Sequence, residues 1–302
     1  MLAPSKAIED YRHYYSQEIR FVANIETPGL VDAFARVPRE KFAGPGPWRI
    51  ASAEKRMMSV AGLGAPSYIT IEDARDLYHN VVVVLDASKD INNGQPSALA
   101  LWMDALDLKP GDRAYHMGCG AGYYTATMAE VLGPEGSVVA CEYQPELAER
   151  ARENLSCYPN VTVHAGDGAA FDPGDCDAML INAGVTRLNP LWLDRLREGG
   201  RLVAPLTIAT SPTVGQGVMA KIVRERGAYS AQFVSRGGIF SCIGWRDAES
   251  EALLKKALIS GALIKLKSLR RDEHEPAATC LVHTIGMCIS SGDPLTHNGS
   301  NA

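Results

Sequence analysis

The 302-residue sequence lacks several features that would point at once to a particular class of protein. It has no C-x-x-C pair, and its seven cysteines are irregularly spaced, which favours reduced thiols over a disulfide framework or a zinc site. The 30 Lys and Arg residues do not exceed the 35 Asp and Glu residues, so we expect no nucleic acid and no anionic membrane as a partner. The most apolar short run, VVVVLDA, is far too short to span a bilayer. We therefore expect a cytoplasmic protein without a metal.

The order of the predicted elements indicates an α/β fold. The periodicity of residues 5–37 predicts helices, PREKFAGPGPWRI predicts a loop, and VVVVLDA predicts a strand. From PSALALWMDALDL onward, strands alternate with helices, which predicts a doubly wound, mostly parallel sheet of the Rossmann-like, seven-stranded type. Shorter, antiparallel-type strands follow.

This pattern divides the chain into three predicted parts. Residues 1–92 form a helical N-terminal region that covers the substrate site, and residues 93–245 form the cofactor-binding Rossmann-like domain. Residues 246–302 form a C-terminal α+β extension of a helix and a strand pair, with a polar tail that we expect to be frayed.

A glycine-rich turn is the strongest sign of a binding site. In RAYHMGCGAGYYTA, Gly118, Gly120 and Gly122 follow a predicted strand and precede a predicted helix, and Cys119 fills a small space between them. Glycines at such a turn let backbone N–H groups approach a ligand. NAD, FAD and S-adenosylmethionine (SAM) all fit a G-x-G-x-G loop.

The ends of the following strands narrow this choice. Glu142, with Tyr143 beside it, ends the next predicted strand, where a carboxylate can accept hydrogen bonds from ribose hydroxyls. A plain surface glutamate at a helix start is the alternative. Asp167 and Gly168 end the third strand, where they either meet an adenine or simply form an Asp-Gly turn. Asn182 ends the fourth strand, at the edge where ligands dock in such sheets.

This order of motifs resembles a class I SAM-dependent methyltransferase more than a dehydrogenase. A dehydrogenase uses a longer loop, G-x-G-x-x-G, around its pyrophosphate, and this chain has Tyr123 and Tyr124 where the last glycine of that pattern would come. We therefore expect SAM as the cofactor.

The resemblance extends to one family. VPREKF, the G-C-G-A-G-Y-Y-T-A loop, GDG, and LREGGRLVAPL followed by VGQGVMAKIVRE together resemble the protein-L-isoaspartate O-methyltransferase family over roughly residues 10 to 245. The resemblance implies methylation of an isoaspartyl α-carboxylate. It also implies that SAM is held by Gly118, Gly120, Gly122, Glu142, Asp167 and Gly168.

Two departures from the family pattern bear on the site. His116 stands where the family has an acidic residue, and it either replaces that residue near SAM or packs at the strand end. The family's serine beside the methylated carboxylate aligns with Gly94, within DINNGQPSAL. Asn93, Gln95 and Ser97 can position a substrate carboxylate, or they form a turn and a helix cap.

The predicted function is therefore methyl transfer from SAM to a carboxylate of a peptide or a small molecule. An ionised carboxylate needs no general base, which fits a sequence without an obvious His–Asp or Cys–His pair. The alternatives are a small-molecule O- or N-methyltransferase of other specificity, an NAD-linked oxidoreductase, and a SAM-binding module that has lost catalysis. The sequence leaves the oligomeric state open.

Overall fold

The structure, a computed structural model, describes residues 7–52, 55, 58, 68–89 and 91–295. The chain forms two compact units. The first unit comprises residues 1–111 and 119–166, and the second comprises residues 112–118 and 167–302. Among the described residues, no helix has both the length and the apolar character needed to cross a membrane.

The helices of the first unit begin and end largely where the sequence predicts. They are α1 (Ile8–Ala23), α2 (Pro28–Arg36), α3 (Arg39–Ala43), α4 (Pro96–Ala105), α5 (Tyr123–Leu132) and α6 (Pro145–Asn154), with a 3-10 turn at Ala74–Leu77. Proline occupies the first position of α2, α4 and α6, where its missing N–H costs no hydrogen bond. The helix α1 ends at Asn24, which adopts the left-handed conformation and donates its N–H to Arg20.

The N-terminal region also contains a small antiparallel sheet, so the expectation that it is helical is wrong in part. Its strands in the described residues are β1 (Trp48–Ala51), β2 (Ile69–Ile71), β3 (Val82–Asp86) and β4 (Ile91–Asn92), in the order β2-β1-β3-β4. The predicted loop at residues 38–50 instead contains α3 and most of β1. The prolines and glycines of this segment favoured a loop prediction. Its apolar side chains Trp48 and Ile50 instead pack against a buried cluster of Ile71, Leu77 and Val83.

The first unit also holds a parallel strand pair, β6 (Ser137–Glu142) and β7 (Val161–Ala165). The helix α6 connects them, which gives the β-α-β arrangement that the alternating pattern predicts. The carboxyl end of β6 carries Glu142.

The second unit is built on one sheet with a parallel and an antiparallel part. Its strands are β5 (Arg113–Met117), β8 (Cys176–Ile181), β9 (Leu196–Ala209), β10 (Val214–Glu225), β11 (Ala228–Phe240), β12 (Ser268–Arg270), β13 (Cys280–Thr284) and β14 (Met287–Ser290). They lie in the order β13-β14-β12-β11-β10-β9-β8-β5. The strand β8 pairs in parallel with β5 and β9, and the pairs from β9 outward are antiparallel.

Helices α7 (Pro190–Arg195) and α8 (Ala248–Ile259) and a 3-10 turn (Ala262–Lys265) complete the second unit. The segment NPLWLDRLREGG predicts a helix that stops at the glycines, but α7 ends earlier, because the chain enters β9 at Leu196 and carries REGG into the strand. The segment ALIKLKSLR predicts a strand, but it forms a 3-10 turn followed by the short β12. The end of the tail, residues 296–302, lies outside the described residues, and so does the expectation that it is frayed. The predicted division at residues 92 and 245 stays a prediction.

Candidate functional site

Cys119, Gly120 and Gly122 form the part of the glycine loop that lies in the first unit. Gly120 and Gly122 have φ angles of +57° and +94°, which L side chains rarely adopt. A Cβ on Gly122 would lie 2.8 Å from Leu155 Cδ1, whereas a Cβ on Gly120 would meet nothing closer than Leu85 at 3.8 Å. Gly122 therefore serves close packing at the start of α5, whereas the Cβ position of Gly120 has room and only its positive φ angle favours glycine.

Glu142 is held by the backbone of this loop and of its own strand end. Its Oε2 accepts the Gly120 N–H at 2.8 Å, and its Oε1 accepts the Gln144 N–H at 3.0 Å. The residue is 8% exposed, so it is not the plain surface glutamate of the alternative interpretation. Burial raises the pKa of Glu142, although the backbone N–H donors act in the opposite direction.

The fixed carboxylate of Glu142 can still accept further hydrogen bonds. A carboxylate offers about four lone-pair sites, and the two backbone donors use one on each oxygen. Tyr143, the neighbouring residue, is 47% exposed. Glu142 is thus oriented for an additional donor such as a ribose hydroxyl.

In the second unit, His116 lies one residue before the end of β5, and Asn182 directly follows the adjacent parallel strand β8. Asn182 Nδ2 donates to His116 Nε2 at 2.9 Å. His116 is fully buried, and burial lowers its pKa to about 3, so its ring is neutral at pH 7 and accepts this bond. Asn182 Oδ1 is buried and has no hydrogen-bond partner among the described residues. His116 therefore orients an amide whose oxygen is available to a donor.

Gly118, the first glycine of the loop, belongs to this same group. It has a φ angle of +75°, and a Cβ there would lie 3.1 Å from the backbone oxygen of Asn182. Asn182 in turn donates its N–H to Met117 at 2.8 Å. The glycine thus permits a close approach between the ends of β5 and β8.

Asp167 and Gly168 form a turn that rests on β5. Asp167 Oδ1 accepts the Ala169 N–H at 2.8 Å, as the Asp-Gly turn interpretation predicts, and this turn leaves Oδ2 for another donor. Gly168 accepts a hydrogen bond from Tyr115 Oη at 2.9 Å. A Cβ on Gly168 would lie 2.4 Å from Met117 Cγ, so only glycine fits against β5.

Arg246 fixes the backbone that follows Asn182, and sequence reasoning missed it. Its guanidinium donates to Gly184 O and Thr207 Oγ1, both at 3.0 Å, and to Thr207 O at 2.9 Å. It also pairs with Glu251 at 3.0 Å. No local pattern marks this role of Arg246, because Thr207 and Gly184 lie 39 and 62 residues away in sequence.

The three predicted substrate-positioning residues differ in how they are used. Asn93 Oδ1 accepts the Val83 N–H at 2.8 Å, and Ser97 Oγ accepts a bond from Asn80 Nδ2 at 2.9 Å. Both side chains therefore make internal bonds that support the turn and the start of α4. Gln95 precedes α4, is half-buried, and makes no side-chain capping bond.

Gly94 has its own structural reason to be glycine. Its φ angle is +73°, and a Cβ there would lie 2.8 Å from Leu99 Cδ2. Its N–H donates to Asn92 Oδ1 at 2.9 Å, which closes a tight turn. A serine at this position would be strained in its backbone and would collide with Leu99.

The VPREKF segment positions the chain that leads into β3. Arg39, which is 1% exposed, donates to the carbonyls of Leu77, His79 and Val81 and lies over the Tyr15 ring. Glu40 accepts hydrogen bonds from Tyr78 and Arg12. This motif is thus a structural clamp on residues 77–81.

The comparisons with known proteins agree with this arrangement. A family model described as protein-L-isoaspartate(D-aspartate) O-methyltransferase matches residues 67–234. The protein-L-isoaspartate O-methyltransferase of Ignicoccus hospitalis is 36% identical over 156 residues, which cover 50% of this chain and 71% of the relative.

Solved structures give the same fold. A protein-L-isoaspartate O-methyltransferase structure has a TM-score of 0.60 at 23% identity and covers 82% of this chain and 69% of its own. A putative protein-L-isoaspartate O-methyltransferase from Plasmodium falciparum, in complex with S-adenosyl-L-homocysteine, has a TM-score of 0.56 at 18% identity and covers 76% and 97%.

The fold is therefore that of the Rossmann-like methyltransferases, which confirms the predicted fold class. The chain belongs to the protein-L-isoaspartate(D-aspartate) O-methyltransferase family, as its motifs indicated. It is accordingly a SAM-dependent methyltransferase of the carboxyl O-methyltransferase type, with SAM as its cofactor.

Proposed function

We propose that this enzyme transfers a methyl group from SAM to a carboxylate of an isoaspartyl or otherwise modified peptide. The main observation in favour of SAM as the methyl donor is Glu142, a buried carboxylate that two backbone N–H groups hold at the end of β6. Its remaining lone pairs suit the ribose hydroxyls. Family membership supports the carboxylate acceptor.

We further propose that five residues of the second unit contribute to SAM binding: His116, Gly118, Asp167, Gly168 and Asn182. The unpartnered Asn182 Oδ1 fits a donor such as the ammonium group of SAM. Asp167 Oδ2, which its own turn does not use, fits the adenine amino group. His116 acts through Asn182 as a positioning residue, because its ring is already bonded to the amide.

The proposed methyl transfer requires alignment of the reacting atoms and no proton transfer. A carboxylate oxygen attacks the methyl carbon, the carbon–sulfur bond breaks, and its electron pair stays on sulfur. The carboxylate is ionised at pH 7, so the proposed reaction needs no general base. Holding the nucleophile, the methyl carbon and the sulfur in line can supply about 7–11 kcal/mol.

Within residues 93–97, Gln95 is the residue we propose to contact the substrate. Asn93 and Ser97 bond to their own chain, whereas Gln95 makes no capping bond beside α4. A Gln95→Ala variant should raise the KM for the acceptor and leave the affinity for S-adenosylhomocysteine unchanged. The matched Asn93→Ala variant should instead lower the free energy of unfolding, since Val83 loses its partner.

A methyl-transfer assay tests the function. The protein is incubated with methyl-labelled SAM and an isoaspartyl peptide, the matching α-aspartyl peptide, or a panel of small carboxylic acids. We expect base-labile label on the isoaspartyl peptide and none on its α-aspartyl twin. Label that survives base would indicate transfer to nitrogen or to an ether oxygen and would overturn the proposal.

A small carboxylic acid is the second candidate substrate, because Gly94 replaces the serine of the family pattern. Labelling of a small acid, without labelling of the peptide, would favour it. Calorimetric titrations with S-adenosylhomocysteine and with NADH address the remaining alternatives. Binding of S-adenosylhomocysteine without any methyl transfer would instead indicate a non-catalytic SAM-binding module.

Residues 1–92 are proposed to cover the substrate side, residues 93–245 to bind SAM, and residues 246–302 to form an added extension. A cytoplasmic location also stays a proposal, supported by the odd number and irregular spacing of the cysteines.

A further inference from the structure

Four metal-ligand side chains meet in the C-terminal extension, outside the residues that the family model matches. They are His274, Cys280, His283 and Cys288, and one potential ligand atom of each lies within 4.8 Å of all the others. We propose that this group is a Cys₂His₂ site that binds a structural zinc ion. In a tetrahedral zinc site with sulfur and nitrogen ligands, neighbouring ligand atoms lie about 3.3–3.8 Å apart. The distances within this cluster reach no more than 4.8 Å, which is only slightly longer.

The hairpin of β13 and β14 sets the two halves of the cluster side by side. His283 lies opposite Cys288 in the register of the two strands, and Cys280 begins β13. The loop between β12 and β13 adds His274, whose ring centroid is 4.7 Å from that of His283. Strand pairing therefore brings Cys280 and His283 close to Cys288, and the preceding loop adds His274.

His274 is oriented as a zinc-binding histidine usually is. Its Nδ1 bonds to Asp272 O at 2.9 Å, and a carbonyl oxygen can only accept, so Nδ1 carries the proton. Nε2 therefore presents its lone pair, and it lies 3.7 Å from Cys280 Sγ. A backbone carbonyl that fixes the tautomer of a ligand histidine is a common outer partner of a metal site.

The surroundings of His283, Cys280 and Cys288 also suit metal binding. His283 Nδ1 is buried and has no hydrogen-bond partner among the described residues, which is costly for a polar atom unless something binds it. The Ala277 N–H points at Cys280 Sγ at 3.3 Å, as it would toward a thiolate. Cys288 is 1% exposed.

The donor set selects the metal and its role. Two thiolates and two imidazoles in a compact group favour Zn²⁺ over harder cations such as Mg²⁺ or Ca²⁺. Four protein ligands fill a tetrahedron and leave no position for water or substrate, so the ion is structural. It would tie the loop before β13 to the β13–β14 hairpin. The expectation of no metal rested on the missing C-x-x-C pair. The spacing of these four residues, H-x5-C-x2-H-x4-C, did not indicate a zinc site from the sequence alone.

The test measures zinc in tag-free protein that is purified with a thiol reductant and without a chelator. We expect about one zinc ion per chain by elemental analysis, and its loss in Cys280→Ser, Cys288→Ser and His283→Ala variants. The Cys157→Ser variant, which changes an exposed cysteine outside the cluster, should keep its zinc. Replacing zinc with Co²⁺ in the unchanged protein should give the strong visible bands of a tetrahedral thiolate site, and this readout does not depend on a variant that folds.

Each other outcome overturns the proposal. One is a zinc-free protein with a Cys280–Cys288 disulfide, detected by mass spectrometry without reduction. Another is a zinc-free protein with both thiols free. A third is zinc that persists in all three ligand variants.

Discussion

Glu142 accepts the backbone N–H of Gly120 through Oε2 at 2.8 Å, and this bond joins the end of β6 to the glycine loop. The carboxylate therefore helps to shape the loop, and it is the group proposed to bind the ribose. A Glu142→Gln variant should weaken binding of S-adenosylhomocysteine at least about tenfold, because its NH₂ group would meet one of the two backbone donors.

Titration calorimetry measures this effect, and Glu146→Gln is the matched control. Glu146 is an exposed carboxylate four residues along the chain, paired with Lys89 at 3.4 Å. Its loss should leave the affinity at the wild-type value. Unchanged affinity in Glu142→Gln would remove the proposed ribose contact.

Gly122 and Gly261 share the left-handed backbone conformation but have different surroundings. Both have positive φ angles, yet only a Cβ on Gly122 would strike Leu155. Alanine at either position should cost about 1–3 kcal/mol through backbone strain, and Gly122→Ala should cost more because of the collision. Urea denaturation measures both variants. Adding Leu155→Ala should recover part of the excess in the Gly122→Ala variant only; equal losses at the two glycines would contradict the packing role.

His116 should make the free energy of unfolding depend on pH. Its folded pKa of about 3 lies below its usual value of 6.5, so the unfolded chain binds the proton more readily between these values. Stability is then fully present above pH 6.5 and falls by up to about 1.4 kcal/mol per pH unit as the pH drops toward 3.

Urea unfolding of wild type and His116→Asn from pH 7 to pH 5 measures this slope. The variant should lose the part of the slope that the imidazole contributes, and the exposed His13→Gln variant should keep it. A His116→Asn slope equal to that of wild type would show that the ring is not buried in its neutral form.

Arg39 should be among the most sensitive positions of the first unit. Its guanidinium serves three carbonyls at once, and lysine cannot match that fork. Arg39→Ala and Arg39→Lys should both lower the free energy of unfolding, the former by at least about 3 kcal/mol.

The control for these variants is Arg36→Ala, which breaks an ion pair on the surface with Glu130. Its cost should stay below about 1 kcal/mol. If Arg39→Ala were no more harmful than Arg36→Ala in denaturant unfolding, the clamp on residues 77–81 would be disproved.

Restoring the family serine should not restore a family substrate site. Gly94→Ser should destabilise the protein by about 1–3 kcal/mol, because φ is +73° and Leu99 lies in the way. It should not raise isoaspartyl methylation. Gly94→Ser combined with Leu99→Ala should relieve the collision and leave the backbone strain. Higher activity in the single variant would show that this loop adapts easily to a hydroxyl.

The sequence predicted those parts of the site that depend on local chemistry. Gly118, Gly120 and Gly122 follow a strand and Glu142 ends the next one, as their spacing predicted, whereas their role in binding SAM stays a prediction. Arg246 and the cluster at residues 274–288 were not predicted, because their partners are distant or are brought together by strand register.

The same difference separates correct from incorrect secondary structure. The helix α4 has a proline start and apolar periodicity, and it was predicted. The strand β1 was missed, because its apolar side chains are few and its burial depends on Leu77 and Val83 from later in the chain. The prolines and glycines just before it gave a stronger local signal than the packing that decides its conformation.

The closeness of Gly94 to Leu99 couples substitutions at these two positions. A serine introduced alone at position 94 would be disfavoured, because its Cβ would lie 2.8 Å from Leu99 Cδ2 in a backbone with a φ angle of +73°. Substituting the leucine alone would open a gap without any benefit. The effects of the two substitutions on stability should therefore not be additive, so position 94 accepts a hydroxyl side chain more readily after position 99 has changed.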